Sequence, residues 1–144
     1  MKQALIFAAA SLFSLASPAL LAHTDAYLDT QKAPNGGQVR MAGAYHFELV
    51  VAKESPVVVY ITDHADAKIS TVGADGTATI LAGKQKTTVK LVPDGDNRLK
   101  GVGNYALTPD MKVVVTVTLA GKTAEQARFT PLAVAKDGHT DHKH

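Results

Sequence analysis

The residues of this chain best suited to chemistry are its histidines. There are six, and no cysteine. Neutral imidazole is a borderline ligand that suits Cu, Ni and Zn, and carboxylates beside it complete such sites. His46 and Glu48 stand two apart in Tyr45-His46-Phe47-Glu48-Leu49-Val50. On a strand, that spacing sends both side chains to one face, opposite Phe47 and Leu49. His64 follows the next β-branched run, within Thr62-Asp63-His64. A hairpin between the two runs would bring it toward His46, at the end near the turn. The ordinary alternative is a surface His and Glu on a solvated sheet face.

A second group closes the chain. His139, His142 and His144, with Asp137 and Asp141, make a short His-rich tract of the kind that binds transition metals without a preorganised geometry. The sixth histidine, His23, follows a leader-like stretch. Met1-Lys2-Gln3 is a basic start, Ala4 to Ala16 an apolar middle, and Pro18, Ala19 and Ala22 supply a small-residue end. Residues 1–22 therefore read as a signal peptide and predict a periplasmic protein. Cleavage after Ala22 would make His23 the first mature residue, its free amine and imidazole a chelating pair; cleavage after Ala19 is the rival. No later segment approaches the roughly 20 apolar residues of a membrane span, so no span is expected once the leader is removed.

The elements that must position these residues are strands. Tyr45–Val51 alternates, Pro56 opens the run Val57–Thr62, and Thr77–Leu81, Thr87–Val92, Arg98–Val102, Met111–Leu119 and Glu125–Thr130 follow, separated by Gly, Pro and Asp turns. About seven short strands without helical periodicity predict an all-β fold, an immunoglobulin-like β-sandwich, with a small β-barrel as the alternative. The expected organisation is an irregular segment at 23–36, a β-domain at 37–131 and a disordered His-rich tail at 132–144. Asp75-Gly76 and Asp94-Gly95-Asp96 read as turns; they lack the spacing and closing Glu of a calcium loop. Met111 reads as core.

Composition narrows the function classes. The formal net charge is +2, with both signs interspersed, which does not suggest a nucleic-acid surface. There is no cysteine nucleophile, no Gly-x-Ser-x-Gly elbow and no His-Glu-x-x-His helix, so no enzymatic activity is expected.

The order of motifs resembles a known family. Pro34-Asn35-Gly36-Gly37-Gln38, Tyr45 to Val50, Val59 to His64, Gly95-Asp96-Asn97-Arg98-Leu99-Lys100-Gly101 and Lys112 to Leu119 are similar to the small periplasmic β-domain associated with heavy-metal efflux systems. That domain occurs as an N-terminal extension of efflux adaptor subunits and as stand-alone secreted proteins. The resemblance covers residues 33–131. It implies a metal-handling accessory role linked to metal efflux or resistance, copper foremost and Zn or Ni next, with an efflux adaptor or another envelope protein as partner. His46, Glu48 and His64 fall on matching positions. Relatives often carry His where this chain has Asn35, so one candidate imidazole is missing. The competing reading is a periplasmic protein-binding module without metal, docking by strand addition at a sheet edge.

Overall fold

The computed structural model describes residues 24–133. Its elements are a short helix α1 (Asp25–Thr30) and eight strands: β1 (Gln38–Ala42), β2 (Tyr45–Val50), β3 (Val57–Asp63), β4 (Asp75–Ala82), β5 (Gln85–Pro93), β6 (Arg98–Gly101), β7 (Lys112–Thr118) and β8 (Glu125–Phe129). All pairings are antiparallel, in the order β1-β2-β3-β6-β5-β4-β7-β8. Strand β5 joins the two halves: its first part pairs with β4, and Val92 and Pro93 pair with β6. The end strands β1 and β8 approach each other, and the Thr130 amide donates to the Gln38 side chain at 2.8 Å. The expected all-β architecture is present in its nearly closed, barrel-like form.

Alternation builds the core. Phe47 and Leu49, Val57, Val59 and Ile61, Ala78 and Ile80, Val89 and Leu91, Leu99, Val113, Val115 and Val117, and Phe129 are all buried in one cluster. Met111 is fully buried there too, as its sequence context suggests. Each strand turns one face inward and the other outward because successive side chains point to opposite sides.

Three local expectations are corrected. The strand count rises to eight because Gln38–Ala42 also pairs; its alternation is short, and its buried positions are Arg40 and Ala42 rather than Val39 and Met41. Residues 23–36 are not wholly irregular. Thr24 caps α1, its hydroxyl accepting the Tyr27 amide at 3.2 Å, and a six-residue helix is too short to display a 3.6-residue period. Asp75-Gly76 is the start of β4 rather than a turn, and the chain reverses earlier, at Gly73.

At the barrel end formed by the β2–β3 connection, Tyr105 packs against the core, its hydroxyl buried with no hydrogen-bond partner among the described residues. Burial pushes its pKa above the usual 10.0. Above about pH 10 the unfolded chain gives up this proton more readily than the folded one. Burial of the protonated hydroxyl therefore leaves stability independent of pH below that value, and stability falls as pH rises further. Tyr105→Phe is expected to leave stability at neutral pH unchanged or slightly higher. It should also move the alkaline unfolding midpoint, followed by circular dichroism, to higher pH.

Candidate functional site

The outward faces of β1, β2 and β3 carry the candidate site. The register places Met41 opposite His46 and His46 opposite Thr62, then Val39 opposite Glu48 and Glu48 opposite Tyr60. His46 and Glu48 share a face, as their spacing requires. That face is covered: both residues are only 5% exposed. The cover is α1 and the segment after it. Tyr27, Leu28, Gln31 and Asn35 line one side of a cavity of about 430 Å³, and His46, Glu48, Tyr60 and Thr62 line the other.

The helix is strapped in place by its acids. Arg40 Nη1 donates to Asp29 Oδ1 at 2.7 Å, its Nε lies 3.9 Å from Asp25, and Asp25 accepts the Met41 amide at 3.3 Å. Asp25 thus occupies a backbone donor on the outer edge of β1, where a strand from another chain would add.

His64 meets His46 at the open end of the β2–β3 pair, not at its turn. Tyr45 pairs with Asp63, so His64 stands one residue past the ladder, while the connecting loop lies at the other end. The two imidazoles stack with centroids 5.0 Å apart and planes 25° apart. The Asp63 side chain shapes the turn that carries His64. Its Oδ1 accepts the amides of Ala65 and Ala67 at 2.8 and 2.9 Å, an Asx-type closure. Within that turn Asp66 adopts φ 62° and brings its carboxylate to 3.8 Å from His46 Nδ1. Asp tolerates this left-handed conformation better than most residues. His64 Nε2 is buried with no hydrogen-bond partner among the described residues.

Glu48 is used differently. Its carboxylate accepts the Asn35 amide at 2.9 Å, the Asn35 side-chain amide at 3.0 Å and the Gly37 amide at 2.9 Å. It is the anchor of the Asn35-Gly36-Gly37 turn. The structure thus brings His46 and His64 together and adds Asp66, while Glu48 turns to the backbone. Among the described residues no group of three or more metal-type side chains is already gathered. His23, His139, His142 and His144 lie outside the described residues.

Sequence reasoning missed Asp66 and the anchoring role of Glu48. The first had a signal in Asp63-His64-Ala65-Asp66, an Asx-turn sequence. The second had none, because the partner amides lie 11 and 13 residues away.

No protein-family model, no curated protein and no solved structure matches this chain.

Proposed function

We propose that this protein is an exported, periplasmic metal-binding accessory protein, a chaperone or buffer for copper or a similar divalent transition metal, linked to metal efflux. The observation that carries this reading is the stacked His46–His64 pair with Asp66 beside it. Two imidazoles and a carboxylate are a donor set for Cu, Zn or Ni. The buried His64 Nε2, lacking a hydrogen bond, fits a group that a metal would satisfy. Binding lies with His46 and His64, with Asp66 in the third position that spacing assigned to Glu48. The leader-like stretch and the motif order support export and the efflux link. His23, one residue before the cap of α1, and the tail histidines act as capture groups that hand metal to the pair.

The test is calorimetric titration of Cu(II), Ni(II) and Zn(II) in a background where His23, His139, His142 and His144 are replaced by alanine. One equivalent is expected to bind, weakening as pH falls below about 6.5, where protons compete for imidazole generally. Adding His46→Ala and His64→Ala should weaken binding at least roughly 100-fold, each ligand contributing about tenfold or more. Unchanged affinity in that double variant, with an unchanged melting temperature, would overturn the pair as the site.

A further inference from the structure

The half of the barrel away from the histidines presents a second surface. The ladders align its outward positions into rows. Lys86, Leu81 and Lys112 form one; Thr88, Thr79, Val114 and Arg128 the next; Lys90, Thr77, Thr116 and Gln126 a third. Lys86, Lys90, Lys112 and Arg128 are all exposed, and among the described residues none forms an ion pair. The acidic side chain among the outward positions of these strands is Asp75, at the far end of β4. With strands about 4.8 Å apart and about 3.4 Å per residue, the four cations span an area roughly 14 Å by 14 Å. Between them lie threonine hydroxyls and Leu81, 43% exposed and flanked by two lysines.

We infer that this outer face of β5, β4, β7 and β8 docks on an anionic phospholipid surface. The charge comes mostly from lysine, a point charge on a flexible stem, suited to a field of headgroups rather than to one shaped acceptor. Of the Trp, Tyr and Arg anchors that dominate protein–protein hot spots, its rows contain Arg128 alone, at the β8 border rather than at the centre. Lysine stems beside an exposed leucine let charge sit at headgroups while apolar atoms reach past them. The inference is independent of the metal reading, since the face shares no residue with the His46 cavity.

The test is co-sedimentation of the chain without its leader-like residues 1–22 with vesicles of equal parts phosphatidylglycerol and phosphatidylcholine, or of phosphatidylcholine alone. Retention is expected on the anionic vesicles at about 25 mM salt and its loss at roughly 300 mM, where screening shortens the reach of charge. Lys86→Gln, Lys90→Gln and Lys112→Gln combined should weaken binding about 100-fold, near fivefold per lysine. Lys32→Gln, Lys53→Gln and Lys68→Gln combined change net charge equally and should leave binding within about twofold, because those side chains lie off the face. Thermal melts verify that both variants fold. Equal retention on neutral vesicles, equal loss in the two triple variants, or stronger retention on duplex DNA at the same salt would each overturn the proposal.

Discussion

Glu48→Ala is expected to lower stability by about 3 kcal/mol and the melting temperature by roughly 10–20 °C, a loss larger than surface substitutions produce. The carboxylate is nearly buried and accepts two backbone amides and one side-chain amide from Asn35 and Gly37. Hydrogen bonds to a charged acceptor are stronger than neutral ones, and buried donors left without a partner carry the full desolvation penalty. Glu48→Gln should recover part of the loss. One oxygen still accepts, but the new amide group points donor at donor. The measurement is urea unfolding of the metal-free protein. A metal ligand with no structural duty would behave oppositely, leaving the urea midpoint in place and reducing only metal affinity.

Gly37→Ala is expected to cost about 2–4 kcal/mol, while Gly36→Ala one residue earlier costs about 1 kcal/mol. The two glycines serve different ends. Gly36 has φ 75° and open space around its Cα, so alanine there meets only backbone strain. A β-carbon on Gly37 would run into the Leu49 carbonyl oxygen and come within 2.9 Å of its carbon and of Val50 Cγ2. The carbonyl belongs to β2, so relief requires moving β1 away from it or pulling the Gly37 amide off Glu48. Denaturant unfolding of both variants separates the cases. Because Gly37→Ala and Glu48→Ala break the same contact, the double variant should lose less than the sum of the singles. Full additivity would mean that the turn and the carboxylate act independently.

These residues mark how far sequence reasoning reaches. The strands were legible because alternation at Phe47, Leu49, Val57, Val59 and Ile61 reports burial of one face directly. The shared face of His46 and Glu48 was legible for the same reason. Their burial was not. It depends on α1, which has a single buried residue, Leu28, and on the pairing of Arg40 with Asp29 across 11 residues. The meeting of His46 and His64 followed from adjacent strands, but its end of the hairpin depended on register. Register is set by the packing of inward side chains and by the connecting loop, not by the two histidines.

By itself, then, the chain's alternation determined an all-β domain, the inward set of side chains and a His–Glu pair on one outward face, because strand periodicity is a local property of the backbone. Only the tertiary structure decided that the outward face is roofed, that Glu48 anchors a turn, that Asp66 rather than Glu48 stands beside His46, and that Lys86, Lys90, Lys112 and Arg128 share one surface. Those facts depend on which strands are neighbours and in what register. That choice is made by the whole core at once, through contacts between residues far apart in the chain.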